Sequence, residues 1–383
     1  MRMARNSVRD AAGYALVAMS LVFPIASLKA NRLASGEAIR LANLGWKGIF
    51  TMLAVPGAVC LAALAMKALR KSANPYAASR LLWSLMPAAA LIAVSSFAPA
   101  GGLAAEARYG LGAGFWLMSA GALLLSGSKR IPFAAFLLLV ASIALAAKSG
   151  YVKDVSLFME FEAKKAMFFS ELLKHVKIAL FSAAAAILPG MLLGYWCYAS
   201  ERAGRFVMGF VNLMQVLPTL SLFGLIMLPL TYISRKLPFL ADLGIRGIGF
   251  APAFIALGLY CLLPITVNTM AGFASVDKKG LFSAKAMGMT NRQSLVKVQL
   301  PLASPVIFSG IRTAVAQNLG NATIAGLVGG GGMGSLIFLG LAQAAPDLVL
   351  LGALPVITMA LAADAALGRA ERMIKVAVLH GDD

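Results

Sequence analysis

Charge is scarce in this chain of 383 residues, of which 13% are Asp, Glu, Lys or Arg and 60% are hydrophobic. So few polar groups cannot clothe a soluble domain in water, so a watery globular fold is excluded and lipid must cover much of the surface. Histidine is scarcer still, with His175 and His380 alone, and the cysteines are Cys60, Cys197 and Cys261. All three thiols fall inside apolar runs, which points to small buried or lipid-facing residues rather than to a disulfide or metal framework. Lacking clustered His, Cys, Asp or Glu, the chain offers no constellation for a membrane-embedded enzyme, and no catalytic residue or metal ligand is assigned. No segment reads GxxxxGK[ST], so no cradle for ATP phosphates is expected here. The run Gly329 to Gly332, with Gly334, has no basic residue near it in sequence and reads as tight packing or a flexible gate loop on the outer side.

What the chain does have is long apolar runs separated by short polar clusters, the pattern of helices that each cross about 30 Å of hydrocarbon. Windows of spanning length lie near residues 11–28, 49–66, 81–98, 111–127, 131–147, 176–198, 206–230, 250–271, 303–326 and 346–367. The first is long enough to span and lacks a convincing cleavage site, so it is taken as a span rather than a signal peptide. The formal net charge of +19 comes from Lys and Arg flanking these runs, not from a basic domain with interleaved aromatics, so topology explains it and nucleic acid is not a partner. Arg2, Arg5 and Arg9 at one end, and Arg369, Arg372 and Lys375 at the other, place both termini in the cytoplasm by the positive-inside rule. The fold class is therefore an all-α, ten-span bundle, multi-pass in a lipid membrane.

Its organisation is read as three parts. Residues 1–150 form a five-span module, 151–175 a periplasmic connector whose amphipathic stretch from Val155 to Lys174 lies on the membrane surface, and 176–383 a second five-span core. The core carries Gln215, Asn268, Gln317, Asn318 and Asn321 inside its apolar runs. Polar groups in hydrocarbon need partners or water, so a pathway and a sealed, hydrogen-bonded bundle both remain open for them. Pathway lining is assigned to Gln215, Pro218, Thr219, Ser221 and Asn268. Two charges also fall within spans, Arg312 and Asp364, either pairing inside the bundle or taking part in gating. Tyr195, Trp196, Tyr198, Tyr232 and Tyr260 suit an interfacial aromatic belt better than a cage for a cation.

The longest inside loop runs from Phe273 to Ile307. It is too polar to span and too apolar to stay unfolded. Leu281 to Met287 suits a short helix, Gly288 a sharp turn, and Gln293 onward a second helix that Pro301 interrupts. Phe282 and Met287 offer apolar anchors ringed by Lys278, Lys279, Lys285 and Arg292.

This loop resembles the signature of permease subunits of ABC importers: Glu-Ala-Ala, three residues, Gly, nine residues, then Ile-x-Leu-Pro. Gly288 stands at the Gly, Val298-Gln299-Leu300-Pro301 at the required distance, and Ala284 at the second Ala, while Phe282 replaces the Glu and Ser283 the first Ala. MQVLPTLSLFGL (214–225), ALGLYCLLPITVNTMAGF (256–273) and SGIRTAVAQNLGNATIAGLVGGGGMGSLIFLGL (309–341) are similar to the glycine betaine and choline branch, in its long form with extra amino-terminal spans. The resemblance implies a type I importer core in a bacterial inner membrane, with residues 273–307 as the coupling loop to an ATPase through Phe282, Ser283, Ala284, Lys285, Met287, Gly288 and Pro301. It also implies ATP and magnesium on partner ATPase subunits with no cofactor on this chain, a periplasmic substrate-binding protein, and a second permease copy or homologue. An ion-gradient-driven transporter is the rival. It would call for buried carboxylates near the midplane, where only Asp364 comes close.

Overall fold

The computed structural model describes residues 2–30, 36–40, 107–125 and 154–379 apart from 243, together with parts of 86–94. The spans expected at 49–66 and 131–147, and most of 81–98, lie outside these residues, as do Cys60 and His380. The chain divides into one unit of Met1–Lys164 with Gln343–Leu348 and another of Lys165–Ala342 with Val349–Asp383.

The first unit corrects the all-α reading. Helix α1 (Arg2–Val22) stops ahead of Pro24, and the chain enters a three-stranded antiparallel sheet of order β2-β1-β3, built from β1 (Ala26–Lys29), β2 (Glu37–Ile39) and β3 (Arg108–Leu111). Ala26 is flanked by Ile39 and Leu111, and Leu28 by Glu37 and Tyr109. The window at 11–28 is therefore part helix and part strand. That at 111–127 begins in β3 and continues as α2 (Ala113–Leu125), whose 13 residues reach only about 20 Å. Ile25, Tyr109, Phe115, Met118 and Val155 close a core over the sheet, and Arg108 pairs with Glu160 at 3.2 Å beside it.

Helix α3 (Ser156–Ala199) runs through the stretch assigned to a surface connector. Val155–Lys174 is not a helix apart: a kink at Lys164 (φ −118°, ψ 17°) marks the end of the first unit's share, and from Lys165 the helix continues without a break into the span.

The second unit holds α3 from Lys165, α4 (Glu201–Val216), α5 (Thr219–Lys236), short α6 (Pro238–Asp242), α7 (Phe250–Ala274), α8 (Lys278–Ala286), α9 (Asn291–Ser294), a π turn (Leu295–Gln299), α10 (Leu300–Asn321), a 3-10 turn (Ala322–Val328), α11 (Gly334–Ala342) and, from Val349, α12 (Pro346–Leu379). Among the described residues four helices are long and apolar enough to cross a bilayer, or five if α4 and α5 count as one crossing. The window at 206–230, expected to be one span, is broken, with α4 and α5 meeting at 107°. Leu217 is extended (ψ 130°) because the ring of the following proline crowds the helical conformation, while Pro218 opens α5, where a missing N–H costs nothing. Tyr260 of α7 braces the break by donating its hydroxyl to the Leu217 carbonyl. Tyr260 is buried, so this member of the expected aromatic belt is an internal strut.

Helices α7 and α10 lie along one another as the centre of this unit. Ile178, Phe223, Leu257 and Leu319 form one apolar cluster, and Ala183, Val211, Ile265 and Ala314 another.

Candidate functional site

The loop between α7 and α10 folds as a capped helical knob. Asp277 caps α8 by accepting from the Lys279 N–H at 3.0 Å, so the helix begins three residues before the expected Leu281. At its end Gly288 turns left-handed with φ +77°, the Gly288 N–H donates to the Lys285 carbonyl at 2.9 Å, and the Met289 N–H to the Ala284 carbonyl at 3.2 Å. This pair of bonds is the Schellman closure, which favours glycine at that position. Thr290 then starts α9 with a capping box, its side chain accepting from the Gln293 N–H and its own N–H donating to Gln293 Oε1 at 2.8 Å.

Contrary to the expectation, Pro301 does not interrupt the second helix of the knob. Residues 291–328 form one helical path, because the π turn just ahead lets the Leu300 N–H donate to Leu295 and loosens the ladder where the proline ring would otherwise meet a carbonyl. Phe273, Val276, Ala303 and Ile307, with Leu281 and Leu295 against them, make a small core that roots the knob. Ala284 is buried at 2% exposure, whereas Phe282 and Met287 stand out at 76% and 70%. Ser283, Lys278, Lys279, Lys285, Arg292 and Pro301 are exposed as well. A convex helix with two apolar anchors and a cationic rim is shaped to enter a groove on another protein.

The residues proposed to line a pathway do not form one group. Gln215, Pro218, Thr219 and Ser221 cluster at the α4–α5 break, half-buried or exposed. Asn268 stands two turns along α7 from Tyr260, donates to the Pro264 carbonyl at 2.8 Å, and opens onto a groove of about 360 Å³ shared with Leu302, Ser309, Glu371 and Lys375. Asn318, at 1% exposure, donates to the Ala179 carbonyl at 2.7 Å and to Ser182 Oγ at 2.8 Å. It ties α10 to α3 inside the bundle. Gln317, its neighbour, is exposed.

Arg312 and Asp364 meet. The guanidinium donates from Nε and Nη2 to the two Asp364 oxygens at 2.7 and 2.9 Å, and from Nη1 to Glu371 at 2.9 Å. Sequence reasoning missed Glu371, although it follows Asp364 by seven residues and so shares its helix face.

A second missed cluster holds the glycine run. Glu171 accepts from the Gly332 N–H at 2.6 Å, from Ser335 Oγ at 3.2 Å and from Lys174 at 2.6 Å. Buried His175 bridges the Leu319 carbonyl at 3.0 Å and the Met333 N–H at 3.3 Å. Its Nδ1 must accept from the amide, so Nε2 carries the proton. Of the two readings left open for the glycines, tight packing is supported at the end of the run, where a Cβ on Gly334 would come within 1.7 Å of the Thr323 carbonyl oxygen.

Tyr195, Tyr198 and Phe273 have ring centroids 5.1 to 6.3 Å apart. They pack ring against ring. Cys197 and Cys261 are unpaired, and among the described residues no group of three or more His, Cys, Asp or Glu side chains is placed to hold a metal.

Two family models match. One, described as a binding-protein-dependent transport system inner membrane component, covers residues 163–376. Another, described as the N-terminal domain of the ABC transporter permease YehY, covers residues 11–158. Among curated relatives, the choline transport system permease protein OpuBB of Bacillus subtilis is 36% identical over 52% of this chain and 85% of its own. The glycine betaine/carnitine/choline transport system permease protein OpuCB of the same organism is 35% identical over 54% and 88%, and the carnitine transport permease protein OpuCB of Listeria monocytogenes 38% identical over 52% and 84%. Among solved structures, a chain of the inward-facing MetNI methionine ABC transporter aligns at 18% identity with a TM-score of 0.48, covering 56% of this chain and 98% of that one.

Proposed function

Because this chain belongs to the family of binding-protein-dependent transport system inner membrane components, we propose that it is the permease subunit of an ATP-driven importer for a small osmoprotectant such as glycine betaine, choline or carnitine. Family members are transport components, and the chain is an integral membrane protein. A loaded binding protein docks on the outer loops, separate ATPase subunits bind ATP and magnesium and close, and the knob at 273–307 carries that closure into the bundle. Two copies, or this chain and a homologue, flank the path in a bacterial inner membrane with both termini inside. The substrate class rests on the relatives' names.

The observation that carries the mechanism is the knob itself. A solvated loop has no use for two caps, a rooted core and two bare apolar side chains at its tip. Phe282, in place of the family's Glu, makes the contact an apolar anchor rather than a salt bridge, with Lys278, Lys279 and Lys285 steering the approach. Asp364 and Glu371, the span carboxylates an ion-driven rival would need, are both bonded to Arg312.

Reconstitution of the chain with its ATPase subunits and binding protein is the test. Uptake of labelled glycine betaine, choline or carnitine that needs both partners and ATP and ignores ionophores is expected. Uptake driven by an ion gradient without nucleotide would overturn the reading.

A further inference from the structure

We propose that Arg312 is a positioning residue that passes movement of the knob on α10 to α12, with Asp364 and Glu371 as its two grips; this rests on the chain being a transport permease. Helix α10 begins at the knob itself, on the unbroken path of residues 291–328, and lies along α7. Helix α12 packs on the bundle in its first half, through Gly352 against Met333 and Ile337 and through Met359, Ala360 and Ala363 against the cluster of Ile178, Phe223 and Leu257. Beyond those contacts, three charge-assisted bonds from one guanidinium are a strong grip on its second half.

The seat for that guanidinium is built into α12. Asp364, Gly368 and Glu371 recur at intervals of four and three residues and so form one stripe, a carboxylate at each end and a glycine between. The glycine is what lets the flat cation lie against the helix, since a Cβ there would stand 3.0 Å from Arg312 Cζ. The planar fork matches Asp364 through two parallel bonds and still has Nη1 free for Glu371, a geometry lysine cannot copy. Lys375, one turn beyond Glu371 on the rim of the same groove, offsets the extra negative charge. Pulling the clamp apart would strand an unpaired cation and two carboxylates at the edge of the hydrocarbon, so α10 and α12 travel together.

The whole complex in proteoliposomes tests this in two ways. The first compares uptake per ATP hydrolysed for Arg312→Ala, Arg312→Lys, Glu371→Gln and the unaltered chain. ATPase activity is expected to persist while uptake per ATP falls by about tenfold or more in Arg312→Ala and Arg312→Lys, with Glu371→Gln, which keeps the Asp364 bond, in between. If Arg312→Ala does not assemble, Glu371→Gln and Gly368→Ala decide. A ratio equal to that of the unaltered chain in the assembled variants would overturn the proposal.

The second needs no transport substrate, so a wrong substrate class and a wrong clamp are told apart. Spin labels at Val296→Cys and Met373→Cys, in a chain with Cys60, Cys197 and Cys261 replaced by Ala, report the spacing of knob and α12. When the ATPase subunits are trapped with magnesium, ATP and vanadate, the spacing is expected to hold with Arg312 present and to change in Arg312→Ala. The same response in both chains would show that α12 follows the knob by another route.

Discussion

Gly288 is where one residue's backbone decides a surface. Its φ of +77° is left-handed, and a Cβ built there meets nothing within 4 Å, so substitution is penalised by strain alone. Gly288→Ala should cost the knob about 1 kcal/mol and Gly288→Val more, because a β-branched side chain tolerates the conformation worst. Gly288→Asn should be nearly neutral. Transport measured at equal membrane abundance is expected to fall in the order Asn, Ala, Val, and a Val variant with full uptake would remove the knob from the mechanism. Phe282→Asp should weaken retention of ATPase subunits during purification by about thirtyfold, the loss of one anchor worth about 2 kcal/mol, with the folded chain unchanged because the ring touches no core. Gly288 was readable from spacing alone. Glu371 was not, since a carboxylate close to the carboxyl end of a basic-flanked span looks like surface charge until the Arg312 fork reaches it.

Two features emerge at the level of elements, and both come from the chain folding back on itself. Proline signals in the sequence mark where a helix is stressed but not what relieves the stress. At Pro218 the relief is a 107° break, at Pro301 a π turn that keeps the helix going. Tyr260→Phe removes the strut under the Leu217 carbonyl and should lower stability by about 1 kcal/mol, read as a drop in melting temperature of the detergent-solubilised chain. The clasp of α3 on the glycine loop is the second feature. Glu171→Ala leaves the Gly332 N–H and the Ser335 hydroxyl without their shared acceptor and should cost about 1 to 3 kcal/mol, accompanied by faster hydrogen exchange at Gly332 and Met333. Unchanged protection at these amides would mean the loop is held by its own packing.

Across the whole molecule, the family model over residues 163–376 and the unit that begins at Lys165 mark out nearly the same stretch of chain. The orientation argued from basic loops gives a direct expectation. In a cysteine-free chain, Lys285→Cys should react with an impermeant thiol reagent only from the cytoplasmic face and exposed Leu327→Cys only from the opposite one, and labelling on the reverse sides would invert the mechanism. The sequence by itself determined that the chain lives in lipid, that its second half carries spanning helices, and that a helix, a left-handed glycine and a second helix stand between two of them. Those properties come from hydropathy over some twenty residues and from local backbone chemistry, which need no distant partner. Only the tertiary structure decided that the first unit contains a sheet, that Asn318 seals the bundle while Gln317 stays exposed, and that Arg312, Asp364 and Glu371 form one clamp. Each of these depends on which helix face meets which, and two neighbouring polar residues on a span look alike until packing turns one inward and the other out.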